Sequence, residues 1–264
     1  MKTLNYKSQR KITIAALIVM VIFIIPSGNE AKPNLDTQAE VSEYINTLTG
    51  FNNLEGTNKT YKMIDVTDDN TPFLHEKIKG KKNVWLVEVK NVHLKLKSAI
   101  PSHKDRYTRK FDILVDPNTG NLLKITSKYE GYDPDMLPEP NAINAEKQLK
   151  RFGEMYLDFP NTPSKISFLD ALNVVGPQGR GDPYMAKEIN GFYVILSKTD
   201  TLITRPVWII TMRGLPPLEP FGIPAGSKLT LPVSARNFST NVVDANTGQF
   251  LFANNIPYPE GNRK

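Results

Sequence analysis

Few side chains in this sequence have the type and spacing that catalysis or metal binding requires. The three histidines, His75, His93 and His103, are far apart, and none forms a His-Glu-x-x-His motif. His93 shares one face of a predicted strand with Lys95 and Lys97, so we expect it to face solvent. The sequence also contains no P-loop, dinucleotide fingerprint or nucleophile elbow. We therefore expect no catalytic, cofactor-binding or metal-ligating residue.

Three polar segments have a functional alternative beside a structural interpretation. Residues 65–70 contain three aspartates and one asparagine, which would suit a cation site but are typical of a solvated turn. Residues 176–182 are rich in glycine, yet they follow a predicted helix instead of opening one, which indicates a loop and not a phosphate cradle. Residues 77–82 hold four lysines and would suit an anionic surface, although a solvated turn is the simpler interpretation.

Cysteine is absent from the chain. This excludes disulfides, thiolate metal sites, a cysteine nucleophile and a lipid-modified N-terminal cysteine. A chain of this length can instead be stabilised by an apolar core. Exported chains without cysteine are typical of bacteria, so a bacterial envelope protein is expected.

The first 31 residues predict export. Four basic residues among the first eleven precede an apolar run, Ile12–Ile25, in which Thr13 is the one polar residue. As a helix this run would span about 21 Å, at 1.5 Å per residue, whereas a bilayer core is about 30 Å thick. Its length favours a cleaved signal peptide, and an uncleaved membrane anchor is the alternative. We expect the rest of the chain to be extracytoplasmic and to contact the membrane only through residues 1–31.

The net charge of +6 overstates how basic the exported part is. Residues 1–31 include four basic residues and one acidic residue, which leaves 29 basic and 26 acidic residues in 32–264, a net charge of +3. Such a small excess does not indicate nucleic-acid binding.

Hydrophobic periodicity predicts three helices and a series of strands. The helices are expected at 37–49, 142–157 and 168–175, with capping boxes at Thr37 and Ser167. The apolar phase slips near Lys90-Asn91, which predicts a β-bulge there. The strands are expected at 61–66, 84–89, 92–97, 111–115, 122–126, 191–198, 206–213, 240–244 and 249–253.

The two halves of the chain resemble each other. Val84–Val87 matches Val207–Ile210, and Phe111–Gly120 matches Ser239–Gly248, in the same order and each after a predicted capped helix. Both longer segments end in Asp-x-Asn-Thr-Gly. We interpret this element as a hairpin turn, because aspartate accepts hydrogen bonds from the following amides and glycine supplies a positive φ. A calcium loop is the alternative, but one carboxylate per turn is too few ligands.

The segments Val115–Asn121 and Val243–Gln249, each after a helix and antiparallel strands, make the chain resemble the PepSY domain. The resemblance covers about residues 36–255 as two copies. It implies a non-catalytic extracytoplasmic module of the kind found in protease propeptides and envelope proteins, where a regulatory role toward peptidases has been proposed. The family has no catalytic residues to carry over.

The sequence thus predicts an α+β fold of two repeated units, each a helix packed on a small antiparallel sheet. The first unit is expected at 32–130, a proline-rich linker at 131–141 and the second unit at 142–264. The expected function is a binding or regulatory module of the cell envelope, without cofactor, whose partner is a protein such as a peptidase. A structural or assembly factor that docks envelope proteins is the alternative, and a hydrolase whose site the sequence does not reveal is a third.

Overall fold

The computed structural model describes residues 35–51, 57–67, 75–94, 96, 108–128, 154–178, 183–198, 204–215 and 236–257. All of these residues belong to one compact unit of the chain. The predicted signal or anchor segment and the predicted linker at 131–141 both lie outside the described residues.

Helix α1 spans Gln38–Thr49. The side chain of Thr37 accepts a hydrogen bond from the Glu40 amide at 3.3 Å, and the Glu40 carboxylate accepts one from the Thr37 amide at 2.9 Å. Gly50 ends the helix with φ at 77°, in the left-handed region that glycine adopts without strain. The capping box and the stop predicted from the sequence are confirmed.

The second long helix, α3, spans Phe168–Val175 and starts with the predicted capping box of Ser167 and Asp170. It continues into a 3₁₀ turn at Gly176–Gln178. A single helical turn, α2, lies between them at His75–Ile78. None of the helices in the described ranges is long and apolar enough to cross a membrane.

The remaining elements in the described ranges are nine strands. They are β1 (Asn58–Ile64), β2 (Val84–His93), β3 (Thr108–Asp116), β4 (Asn121–Lys128), β5 (Glu154–Asp158), β6 (Glu188–Lys198), β7 (Thr204–Arg213), β8 (Arg236–Asp244) and β9 (Phe250–Pro257). The register shifts between Val89 and Val92 and φ is 58° at Asn91, which confirms the predicted bulge.

All nine strands belong to one antiparallel sheet. Eight of them follow one another in the order β1-β2-β3-β4-β6-β7-β8-β9. Strand β6 is longer than β4, so β4 pairs with its first residues, Glu188–Gly191, and β5 pairs with its last residues, Ile195–Lys198. Strands from both halves of the chain therefore share one hydrogen-bonded network.

This sheet corrects the predicted fold class. The described part of the chain is mostly β, with one continuous sheet beside α1 and α3, and the prediction of two helix-on-sheet repeats is wrong. The physical reason is that the outer edge of β4 would expose unpaired backbone groups, and β6 satisfies them. Hydrophobic periodicity locates strands, but it does not say which edges meet.

The predicted helix at 142–157 is also wrong where the structure describes it. Residues 154–158 form β5, which pairs with β6. Pairing with a buried strand outweighs the helical propensity of a short segment. The first part of that predicted helix lies outside the described residues.

The two Asp-x-Asn-Thr-Gly turns have the predicted structural role. Asp116 Oδ1 accepts a hydrogen bond from the Asn118 amide at 3.0 Å, and Asp244 Oδ1 accepts one from the Asn246 amide at 2.9 Å. The closing glycine has φ at 62° in the first turn and 73° in the second. Both turns are hairpin loops between β3 and β4 and between β8 and β9.

The main core lies between the sheet and the two long helices, on the side that we call the helical face. An aromatic series runs through it: Phe51 contacts Phe111, which contacts Phe168, which contacts Trp208, with ring centroids 4.8, 6.2 and 5.6 Å apart. The Phe168 ring packs directly on Gly191, where a Cβ would lie 2.4 Å from Phe168 Cε2. A smaller apolar cluster on the other side of the sheet includes Phe192 and Ile209.

Candidate binding face

The sheet face opposite the helices carries a row of polar residues, one from each of the eight consecutive strands. Each residue pairs in register with the next, from the edge strand β1 to the edge strand β9. We call this row the polar ladder. Its members are Thr60, Glu88, Asp112, Thr126, Asn190, Thr211 and Thr240, and Asn254 holds the last register position.

The first part of the ladder, on β1 to β3, is accessible to solvent and densely charged. Lys110 Nζ donates to Glu88 Oε1 at 2.8 Å and lies 3.1 Å from Asp112 Oδ1. Glu88 also accepts a hydrogen bond from Thr60 at 3.1 Å, and Lys62 Nζ lies 3.8 Å from it. Only 15% of the Glu88 side chain is exposed, against 43% for Lys110.

These contacts change the ionisation of both partners. The hydrogen bond from Lys110 is the main reason that the pKa of Glu88 falls to about 2, although burial acts in the opposite direction. Burial lowers the pKa of Lys110, but its hydrogen bonds to Glu88 and Asp112 outweigh this and raise the pKa above the usual value for lysine. Both side chains are therefore charged at neutral pH.

Glu88→Gln is expected to reduce stability by about 1 kcal/mol at pH 7, because a partly exposed ion pair contributes modestly. The folded pKa is below the unfolded value of about 4.3. The contribution is therefore complete above pH ~5 and is lost as the pH falls toward about 2. Urea unfolding of the unmodified chain and of the Glu88→Gln variant is measured between pH ~5 and about 2. The difference between their free energies of unfolding should shrink as the pH falls. Glu43→Gln, on the exposed side of α1, is the matched control, and identical profiles for the two variants would contradict the prediction.

The central part of the ladder is buried and joins the two halves of the chain. Thr126 on β4 donates to Asn190 Oδ1 on β6 at 2.9 Å, and Asn190 Nδ2 donates to Glu188 Oε1 at 2.8 Å. Arg213 Nη1 on β7 lies 3.6 Å from the same carboxylate oxygen. All four residues are buried. A charged network with this burial holds the register between β4 and β6, because a slip would leave its polar groups without partners.

Some buried oxygen atoms on this face of the sheet have hydrogen-bonding capacity to spare. Glu188 Oε2 and Thr240 Oγ1 make no hydrogen bond within the part of the chain that the structure describes. Each is a position where an ordered water molecule or a polar ligand atom would gain a partner.

The two histidines in the described residues belong to different elements. His93 is exposed at the end of β2, His75 belongs to α2, and His103 lies outside the described residues. No group of three or more histidine, aspartate or glutamate residues in the described ranges is close enough to hold a metal ion.

The other polar segments singled out from the sequence serve local structure where it is described. Asp65 Oδ1 accepts a hydrogen bond from the Asn83 amide at 2.9 Å, while residues 68–70 lie outside the described ranges. In the lysine-rich segment, Lys81 Nζ donates to Asp116 Oδ2 at 2.7 Å. Burial raises the pKa of Asp116, but the hydrogen bond and the charge of Lys81, together with hydrogen bonds from Thr119 and the Asn118 amide, outweigh this and lower it.

The polar ladder was not found from the sequence. One signal was present: the apolar stretches of β6 and β7 are interrupted by Asn190 and Thr211. Their alignment in a single row depends on the register of non-local strands, which the sequence pattern does not give.

Comparison of the chain with protein-family models, curated proteins and solved structures finds no match. The resemblance to the PepSY domain therefore depends on the sequence pattern alone.

Proposed function

We propose that this chain is a non-catalytic extracytoplasmic module of the cell envelope that binds a protein partner. The observation that carries the proposal is the exposed face of β1–β4, where charged side chains are held in fixed rows on a rigid sheet. Charged groups that are fixed in this way select partners by electrostatic complementarity. A sheet also presents a binding surface at little cost in conformational entropy.

The state of the carboxylates supports binding over hydrolysis. A carboxylate that acts as general acid or base must be available to exchange a proton with substrate. Three carboxylates on or beside the sheet, Glu88, Asp116 and Glu188, instead each lie beside a cationic side chain. In this arrangement they act as structural and electrostatic groups.

A peptidase is the partner class that the PepSY resemblance implies, and regulation of that peptidase would be the role. The alternative is an assembly factor that docks envelope proteins. The edge strand β1 favours the alternative, because it pairs on one side with β2 and carries the exposed residues Lys62 and Met63. An extended segment of a partner protein can add to such an edge.

The test is capture by the immobilised exported part, residues 32–264, from an envelope extract of the source organism, read by mass spectrometry. Recovery of a peptidase, followed by direct inhibition of that enzyme after purification, is the expected result. Recovery of structural envelope proteins would favour the assembly factor. Recovery of nothing above a bare-resin control, together with a measurable hydrolytic activity of the chain, would overturn the proposed binding role.

A further inference from the structure

The lysines of the exposed face are arranged in two rows, one on each side of the polar ladder. Lys62, Leu86, Leu114 and Lys124 pair in register across β1 to β4 and form the first row. In the second row Lys110 pairs with Lys128. Lys90 belongs to the same row, because the bulge in β2 places it between the residues that pair with Phe111 and Arg109. We call these two rows and the ladder residues between them the lysine face.

The lysine face accounts for the excess charge of the exported chain. It carries five lysines and two carboxylates, Glu88 and Asp112, a net charge of +3. Residues 32–264 as a whole also have a net charge of +3. The remainder of the exported chain therefore has no net charge, and the lysine face carries a local excess of positive charge.

The second row places like charges next to one another. Lys110 and Lys128 are directly opposite on adjacent strands, and Lys90 is on the strand beyond Lys110. Neighbouring strands are about 4.8 Å apart, and like charges that face each other across strands are destabilising. Glu88 and Asp112 offset the charge of Lys110. Lys90 and Lys128 are both exposed, and an anionic partner would relieve the repulsion across this row.

The leucines of the first row indicate what kind of anion fits. Leu86 and Leu114 are adjacent and only partly buried, and they are flanked by Lys62 and Lys124. A polyphosphate chain gains nothing from apolar contacts, whereas a protein segment with both acidic and apolar side chains would contact leucines and lysines together.

We propose that the lysine face binds an acidic, partly apolar segment of the partner protein, with its carboxylates over Lys90 and Lys128 and its apolar side chains on Leu86 and Leu114. This inference rests on the proposed binding function and specifies the chemistry of the partner. The contact is mainly electrostatic, so its affinity falls as the salt concentration rises.

The probe is a fluorescent peptide of about 20 residues, the length that one side of an ordinary interface engages, in which glutamates and leucines alternate with serine and glycine. Its binding to residues 32–264 is measured by anisotropy, at low and high salt. The Lys90→Glu/Lys128→Glu variant is expected to bind about tenfold more weakly. The control, Lys165→Glu/Lys187→Glu, changes the net charge equally at exposed lysines outside β1–β4 and should bind within about twofold of the unmodified chain.

Equal weakening in the two double variants would overturn the proposal, as would equal binding of a peptide with glutamine in place of glutamate. If polyphosphate binds more tightly than the peptide, and binds more weakly to the Lys90→Glu/Lys128→Glu variant, the ligand of the lysine face is a polyanion and not a protein segment. The same variant separates this inference from the proposed function. If the Lys90→Glu/Lys128→Glu variant still captures the envelope partner at full yield, the proposed binding function is retained, but the lysine face is not the binding site.

Discussion

Trp208→Ala is expected to lower the free energy of unfolding by about 4 kcal/mol, one of the two largest effects predicted for this chain. The indole is fully buried on the helical face. Its ring centroid is 5.6 Å from that of Phe168 on α3 and 5.3 Å from that of Tyr193 on β6. Its Nε1 lies 3.1 Å from both Ser164 Oγ and Ile166 O, just before α3 begins. Alanine would remove the contacts that fix α3 on the sheet and would leave a large cavity.

Urea unfolding followed by circular dichroism measures this loss. Trp85→Ala is the matched comparison, since Trp85 holds the equivalent position beside the first hairpin, opposite Val115, but keeps 8% of its surface exposed. Its loss should be smaller. Trp208→Phe keeps a ring but not the N–H donor and should cost about 1–2 kcal/mol, so the prediction remains testable if the alanine variant does not fold. A loss below ~1 kcal/mol for Trp208→Ala would contradict the prediction.

The sequence was informative where a structure depends on neighbouring residues. The capping boxes at Thr37 and Ser167 place a hydroxyl and a carboxylate three residues apart, and this spacing alone satisfies the first amides of a helix. The turns that end in Gly120 and Gly248, and the bulge near Asn91, are equally local. For this reason the two long described helices and the hairpins lie where the patterns predicted them.

The sequence was misleading where a structure depends on distant partners. The union of β4 with β6 is decided by backbone hydrogen bonds between residues more than sixty positions apart, such as Thr126 and Asn190. Nothing local distinguishes two sheets from one. The same limit explains β5, which is a strand because β6 is beside it. The dependence on distant partners also explains why the polar ladder was missed. Its members are common polar residues, and only the register of the strands places them in one row.

Removing one partner of the buried ion pair at this junction is expected to cost about 3–5 kcal/mol. Glu188 and Arg213 are both buried, and Nη1 of the arginine lies 3.6 Å from Oε1 of the carboxylate. Glu188→Met leaves the guanidinium without this anion and Asn190 without its acceptor. Arg213→Met leaves a buried carboxylate with one neutral hydrogen bond. In the Arg213→Met variant the Glu188 carboxylate stays buried without this cation, in a region of low dielectric constant.

The double variant, Glu188→Met/Arg213→Met, should be more stable than the sum of the single losses predicts, by at least ~1 kcal/mol, because it removes both charges together. Chemical unfolding of the four proteins gives this coupling energy. Lys62→Met is the surface control: its Nζ is 3.8 Å from Glu88, 59% of its side chain is exposed, and its loss should stay below ~1 kcal/mol. Single losses no larger than this control, or strictly additive losses, would show that the ion pair between β6 and β7 does not support the contact of β6 with β4. Hydrogen exchange at the amides of 125–128 would then be no faster in the Glu188→Met variant than in the control, whereas an ion pair that positions Asn190 for its contact with β4 requires it to be faster.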